Sequence, residues 1–296
     1  MAGGQERILR QRIKSVRATR KITKAMELIA ASQISRSQAR IVANRPYRQG
    51  MRRIVYEAAK GDPAAAEKLL GVPDVVETAM VLVVAGDRGL SGSYNSSALR
   101  AGERLIRSLR DNGTTVRLFT VGKKAAPFFR FRGFEVEHSF VGFADRPTFA
   151  DARQVAATLV TPFMDGAAQQ VLLVSTRFLS AGSQVVEVEQ LLPLTAPEVV
   201  EPVATGLTGY TEFEPEVAEL LFFLAPRALE SEIFSALLEG AASFHTSQQR
   251  AMAAATENAD ELGQTLSRIM NRARQDSITT EIMEIVGGAE ALRSRK

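Results

Sequence analysis

Apolar residues in the first sixty positions recur every three or four residues. Leu9, Ile13 and Val16 form one group, and Ile22, Met26 and Ile29 a second after a shift of phase. This spacing predicts a long amphipathic helix over 5–57. Pro46 and Gly50 interrupt it, so a kink is expected there. Residues 61–74, with two Pro and two Gly, read as a connection. The middle of the chain then alternates. Continuous apolar or alternating runs at 75–85, 115–121, 134–140, 171–176 and 183–194 read as strands. Helical patterns at 94–111, 123–132 and 148–164 separate the earlier ones. Strands alternating with helices predict a small α/β domain, Rossmann-like, with a mostly parallel sheet.

The last third is helical again. Thr211-Glu212-Phe213-Glu214-Pro215 has the form of a helix start, with Thr as cap, Glu three positions on and an early Pro. Pro226 marks an expected bend. Beyond it, Met252, Ala255, Ala259, Leu262, Leu266, Ile269 and Ala273 alternate steps of three and four, the seam of a coiled coil. Ile282 and Ile285 extend it after a slip near Ser277. A helix over 227–286 would span about 90 Å at about 1.5 Å per residue. A sheet domain of about 120 residues has a radius of gyration near 14 Å and cannot cover it. The expected partner is the N-terminal helix. The reading is therefore an α/β domain from which the two chain ends project as a long antiparallel coiled coil. It assigns 1–60 to the N-terminal coiled-coil helix, 75–195 to the α/β base and 211–288 to the C-terminal coiled-coil helix.

Composition is that of a folded protein, with 45% apolar and 24% charged residues among 296. Cysteine is absent, which excludes disulfides, thiolate metal sites and thiol catalysis. Only His138 and His245 carry imidazole, too few for a multi-histidine site. No apolar run approaches the roughly 20 residues that cross a membrane. The Arg-rich, acid-poor start has the flavour of a transit peptide, but it continues unbroken into the long helix, so a cytosolic bacterial chain is the better reading. Net charge is only +4, yet residues 1–60 hold 15 Lys+Arg against 3 acids, and residues 181–240 hold 11 Glu against one Arg. Such asymmetry predicts that different parts meet differently charged surroundings.

Gly86-Asp87-Arg88-Gly89-Leu90-Ser91-Gly92-Ser93 stands between a strand and a helix, where phosphate loops sit. Its spacing fits neither GxxxxGK[ST] nor GxGxxG. A tight turn with Asp87 and Arg88 bonded locally is the plainer reading. No acid–base pair or nucleophile stands out, and no cofactor or metal is expected. Lys14, Arg17, Lys21 and Lys24 form a positive stripe on the first helix. It fits a nucleic acid, a solvated face or an acidic protein surface, although no nucleic-acid motif accompanies it.

The segments RKITKAMELIAASQISRSQ (20–38), GDRGLSGSYN (86–95) and RQDSITTEIMEIVGGA (274–289), with QLLPL (190–194) and FEP (213–215), resemble the gamma subunits of F-type ATP synthases over essentially the whole chain. The resemblance implies a non-catalytic rotor shaft in the central stalk. Such a shaft couples proton flow through a membrane c-ring to ATP synthesis in a ring of alpha and beta subunits. The implied partners are alpha, beta and epsilon subunits and the c-ring, with one copy per complex and no nucleic acid. The implied location is the cytoplasmic side of the cell inner (plasma) membrane, peripheral and held indirectly through the c-ring. The alternative from another class is a nucleic-acid-binding coiled-coil protein.

By the same resemblance, Met26 matches the family methionine near an acidic beta-subunit loop, with Lys21 and Lys24 beside it. Gln275, Thr279 and Glu281 match contacts near the top of the shaft, and Glu214 matches a base position facing the c-ring. Asp87, Arg88 and Arg250 complete the implied partner contacts. Gln248 stands where many relatives have Arg, and Ser91 where the family has Cys. The apolar end at Ile278, Ile282, Met283 and Ile285 is expected to enter a hydrophobic sleeve of the ring, and Leu262 is expected inside the seam.

Overall fold

The computed structural model describes residues 2–61, 71, 73, 75–194, 214 and 216–293. The first helix, α1, runs through Ala2–Gly61 and continues across Pro46, and the last, α5, runs through Val217–Arg293 and continues across Pro226. The expected kink and bend thus do not interrupt either helix. The helix start around Thr211 and most of the 61–74 connection lie outside the described residues.

Between them the chain forms β1 (Thr78–Val84), α2 (Tyr94–Asp111), β2 (Thr115–Val121), α3 (Ala125–Phe131), β3 (His138–Phe140), α4 (Phe149–Met164), β4 (Gln170–Phe178) and β5 (Gln184–Leu192). They build one five-stranded sheet in the order β3-β2-β1-β4-β5. The pairings β1/β2, β1/β4 and β2/β3 are parallel, and β4/β5 is antiparallel. The mostly parallel α/β base expected from the strand–helix alternation is what forms. The strand expected over 134–140 is shorter, only His138–Phe140. Helix α4 starts where Thr148 and Asp151 cap each other: Thr148 N–H donates to Asp151 at 2.7 Å and Asp151 N–H to the Thr148 hydroxyl at 3.3 Å.

Strand β1 is buried on both faces, as a central parallel strand must be. Met80, Leu82 and Val84 join one core with α4, the 51–59 stretch of α1 and the 221–237 stretch of α5. Val81, Val83 and Ala85 join a second core with Leu99 and Ile106 of α2 and Phe129 of α3. The period-two alternation of the strand places the sheet between two helical layers.

The chain divides into two compact units, Met1–Ile29 with Gln249–Lys296, and Ala30–Gln248. The division falls inside α1 and α5 rather than at their ends. The reason is visible in the cores: the inner stretches of both helices are part of the sheet unit.

In the first unit the two helices run antiparallel, since Thr23 meets Thr256 at 2.7 Å and Arg20 pairs with Asp260. The face of α5 turned inward there passes through Met252, Thr256, Ala259, Gly263, Leu266, Met270, Ala273 and Ser277. The seam expected from sequence is therefore half right. Met252, Ala259, Leu266 and Ala273 lie on it, but Leu262 and Ile269 are 49% and 46% exposed. On α1, Leu9, Ile13 and Thr23 are buried, while Ile22 and Ile29 are about as exposed as surface residues, at 61% and 60%. Two heptad registers, one residue apart, compete on each helix. On α5 the register carrying Thr, Gly and Ser wins inside beside Met252, Leu266 and Met270, and Leu262 and Ile269 face outward.

Candidate functional site

Two features of the molecule bear on function: the outer face of the helix-pair unit, and the crevice of the sheet unit where an α/β fold ordinarily binds ligands.

The strand order reverses at β1, with β2 and β3 on one side and β4 on the other, and the crevice outside the carboxyl ends of β1 and β4 is the usual ligand position in such a sheet. Here α5 fills it. The Ser243 hydroxyl donates to the Thr176 carbonyl at 3.5 Å, and Glu239 accepts from Phe178 N–H at 3.2 Å, both at the end of β4. At the end of β1, Phe244 Cδ2 lies 3.1 Å from where a Cβ on Gly86 would stand. Gly86 thus lets the aromatic ring in. The Ser247 hydroxyl donates to the Ser91 carbonyl at 2.6 Å, and His245 Nε2 donates to the Asp145 carbonyl at 3.2 Å.

The glycine-rich loop is turned upon itself. Gly86 N–H donates to the Asn95 side chain at 2.8 Å, and the Asn95 amide donates back to the Arg88 carbonyl at 3.0 Å. The Asp87 carboxylate accepts from three backbone N–H groups, of Lys123 (3.0 Å), Gly142 (2.9 Å) and Ala144 (2.9 Å). Arg88 pairs with Asp145. A phosphate loop aims its N–H groups at a ligand; here the Gly86 N–H is taken by Asn95, and the loop presents the Asp87 carboxylate to the N–H groups of neighbouring segments. Asp87 and Arg88, placed by resemblance among partner contacts, are held within the sheet unit by bonds to Lys123, Gly142, Ala144 and Asp145, distant in sequence rather than local to the turn as expected. Gly122 sits at φ +94°, where a Cβ would come 2.3 Å from the Ala85 carbonyl, so the turn beside this loop also requires glycine. Burial pulls the His245 pKa below its ordinary value, against the opposing influence of Asp145. Burial likewise raises Tyr94, with the Asp145 charge adding to it.

On the helix-pair unit, Lys14, Arg17, Lys21 and Lys24 are all exposed. Lys24 donates to Glu27 at 3.0 Å. Arg10, Lys14, Arg17 and Lys21 line one groove of about 460 Å³ with an apolar floor of Ile13, Ala18 and Met270. A second groove of about 470 Å³ is lined by Arg17, Arg20, Arg268 and Asp260. Met26 is half-buried, and Arg250, Gln275, Thr279 and Glu281 are exposed. Glu214 is exposed at the start of the described C-terminal stretch. The predicted residues therefore do not converge on one site. Lys21, Lys24 and Met26 share the N-terminal helix, Gln275, Thr279 and Glu281 the far part of α5, and Asp87 and Arg88 the loop of the sheet unit. Among the described residues no cluster of His, Asp or Glu could hold a metal ion.

One cluster was missed by the sequence reading. Arg48 and Arg52, one turn apart on α1, both bind Glu232 of α5, which is only 4% exposed. Arg48 Nε donates to Glu232 at 2.7 Å and Arg52 Nη2 at 2.8 Å. Arg52 also reaches Glu189 of β5 at 2.9 Å, and Arg48 lies 3.7 Å from Glu239. Burial alone would weaken the Arg52 charge, but Glu232 and Glu189 outweigh it and raise its pKa. The paired i, i+4 arginines were the available signal. The charge imbalance between 1–60 and 181–240, read as facing outward, is partly internal.

A family model described as ATP synthase matches residues 5–292. The ATP synthase gamma chain of a Parafrankia species is 44% identical over 98% of this chain and 99% of its own length. Among solved structures, a chain of the Euglena gracilis mitochondrial ATP synthase, from an OSCP/F1/c-ring assembly in rotational state 3, matches with TM-score 0.67 at 16% identity, covering 99% of this chain and 96% of that one. A chain of the Tetrahymena thermophila mitochondrial ATP synthase central stalk and c-ring matches with TM-score 0.61 at 24% identity, covering 79% of this chain and 99% of that one.

Proposed function

The chain belongs to the ATP synthase gamma-chain family, and from that premise we propose how it works as the central-stalk rotor of an F-type ATP synthase. It is a non-catalytic subunit. Its task is to carry torque between a proton-driven c-ring and the ATP-forming alpha and beta subunits, so that proton flow and ATP synthesis are coupled.

The observation that carries this reading is the outer surface of the helix-pair unit. Ile22, Leu28 and Ile29 on α1, and Leu262, Ile269, Ile278, Ile282 and Ile285 on α5, are all exposed apolar side chains. Exposed Lys14, Arg17 and Lys21 lie on the same unit. A surface both greasy and cationic is suited to a sleeve formed by other subunits, with acidic groups opposite the cations. In this proposal Lys21, Lys24 and Met26 meet an acidic loop of beta, and Gln275, Thr279 and Glu281 make contacts nearer the end of α5. The sleeve is formed by alpha and beta. Arg250 contacts the same ring, while Glu214 faces the c-ring and epsilon sits at the base.

Exposed ion pairs contribute only about 0.2–1 kcal/mol each and are screened by salt. Cations against acidic loops can therefore guide a turning shaft without trapping it. No helix among the described residues is long and apolar enough to cross a membrane. In this reading the chain is a peripheral component at the cytoplasmic face of the cell membrane, held through the c-ring.

The test is affinity purification of the tagged chain from its host, followed by mass analysis and ATPase assay. Co-purification of alpha, beta and epsilon with azide-sensitive ATPase activity is the expected result. A chain recovered without them, and retained on DNA in a salt-dependent way, overturns it.

A further inference from the structure

We infer that Arg48, Arg52, Glu189 and Glu232 act together as positioning residues that fix the register of α1, α5 and β5 against sliding, and that coupling depends on this register. The inference rests on the rotor reading. All four residues belong to the sheet unit, and the network they form ties α1 and α5 to each other and to the edge strand β5.

The packing around the network mixes small and large side chains: Ala58, Ala59, Ala225, Ala228 and Ala236 are buried beside Val55, Leu229, Ile233 and Leu237. Apolar contact of either kind is non-directional. The ionic network adds direction to it. Glu232 is 4% exposed in its side chain; its Oε2 accepts from both Arg48 (2.6 Å) and Arg52 (2.8 Å), and its Oε1 from Arg52 Nε. Glu189, on the edge strand β5, accepts from Arg52 at 2.9 Å and from Arg48 at 3.4 Å. A shift of either helix by one residue, about 1.5 Å, would break several charge-assisted bonds at once and leave a buried carboxylate unpaired.

Such a network is a poor device for stability. Replacing a buried ion pair or triad by apolar residues of similar volume is often neutral or stabilising, because desolvation offsets the attraction. What apolar residues cannot supply is directional register, the best-attested use of buried polar groups. In an ordinary domain a small slip between elements is harmless. In a subunit that carries torque, work done on one element must appear at another without slippage.

The experiment separates the two roles. The triple variant Arg48→Met, Arg52→Met and Glu232→Leu removes the charges while retaining bulk. It is assembled in the whole ATP synthase in inverted membrane vesicles, and ATP hydrolysis and ATP-driven proton pumping are measured together. The expected result is assembly and hydrolysis within about twofold of the parent, but pumping per ATP lowered about fivefold, with the deficit growing as the opposing proton gradient rises. A triple variant that pumps as the parent does, gradient for gradient, overturns the inference.

Should the triple variant fail to assemble, Glu189→Gln decides the matter. Glu189 is 38% exposed in its side chain and dispensable for burial. It is expected to lower pumping per ATP about twofold at high gradient and to leave hydrolysis alone; parental coupling in this variant overturns the inference. Failure of the parent complex itself to pump would instead remove the rotor reading.

Discussion

Helices α1 and α5 each contribute to both units, and they are built differently in the two. In the sheet unit their inner faces are closed. Val55, Leu229, Ile233 and Leu237 are buried against the strands, and the charges between the helices are neutralised by their own chain. In the helix-pair unit Leu9, Ile13 and Met252 are buried, but the inward face also carries Thr23, Thr256, Gly263 and Ser277, while Ile22, Ile29, Leu262, Ile269 and Ile278 look outward. A domain that must fold on its own spends most of its apolar residues inside. A helix pair that places this many of them outside has a surface made to be covered by something else. This contrast within single helices distinguishes the part that folds from the part that engages.

The largest effect should come from the sheet unit. Phe244 is 1% exposed and fills the crevice beside Gly86, in edge contact with Tyr94 at 5.6 Å between centroids. Phe244→Ala should cost about 3–5 kcal/mol, the usual range for a buried phenylalanine. Urea unfolding of the full chain followed by circular dichroism measures it. A loss under about 1 kcal/mol would mean that the crevice collapses freely and that the plug is incidental.

Much of this contrast was legible in the sequence, and the illegible part has a physical cause. Strands with continuous apolar runs, such as 78–84, and helices such as 148–164 were readable because one pattern had no competitor. The seam was not. Met252, Ala259, Leu266 and Ala273 belong to two registers, and hydrophobicity favours the one with Leu262 and Ile269. An apolar side chain facing solvent in the monomer is not a cost to be avoided when a partner covers it. Single-chain periodicity cannot distinguish a core from an interface, since both are apolar stripes. The candidate site suffered similarly. Asp87 and Arg88 were legible as a loop pair, but that the loop closes upon itself depends on Lys123, Gly142 and Ala144, far away in sequence. The charge asymmetry was obvious, yet which charges meet each other, Arg48 and Arg52 with Glu232, follows from tertiary packing alone.

Inside the helix-pair unit, Thr23 and Thr256 share a buried hydrogen bond at 2.7 Å. Each hydroxyl also reaches a carbonyl of its own helix, Thr23 that of Arg20 at 3.0 Å and Thr256 that of Met252 at 2.8 Å. Either single change, Thr23→Val or Thr256→Val, therefore leaves the other hydroxyl a partner and should cost about 0.5–1.5 kcal/mol, the net worth of the shared bond. Changing both should cost less than the sum of the two, because the shared bond can be lost only once. Amide hydrogen exchange over 16–26 and 252–263 reads out this local stability. Additive losses in the double variant would show that the two hydroxyls do not act on one another.

A smaller, pH-dependent effect distinguishes the units again. His245 is 3% exposed, and burial depresses its pKa below 6.5, with Asp145, Arg88 and Arg146 as its charged neighbours. Above pH 6.5 the ring is neutral whether the chain is folded or not. As pH falls below 6.5, the unfolded chain binds the proton and the folded one resists it, so the sheet unit loses stability on acidification. The urea midpoint of the full chain should drop between pH 7.5 and 5.5. In His245→Gln, whose amide can still donate to the Asp145 carbonyl, the drop should shrink. An equal drop in both proteins would assign it to other groups.

The smallest expected effect on the chain itself is the most telling for the comparison. Leu262 and Ile269 are half exposed, so Leu262→Ser with Ile269→Ser should alter unfolding stability by no more than about 0.5 kcal/mol each, the range for surface positions. Were they core residues, the same changes would cost several times more. In the assembled complex the expectation reverses. If other subunits cover these side chains, the double variant should reach normal levels as a folded chain and yet assemble poorly with alpha and beta. Thermal melting of the purified chain and the yield of ATPase complex, measured side by side, give the two numbers. A large loss of stability would return both residues to the seam that periodicity assigned them. A normal yield of complex would mean that nothing covers them, and that the greasy outer face of the helix pair is not where this protein meets its ring.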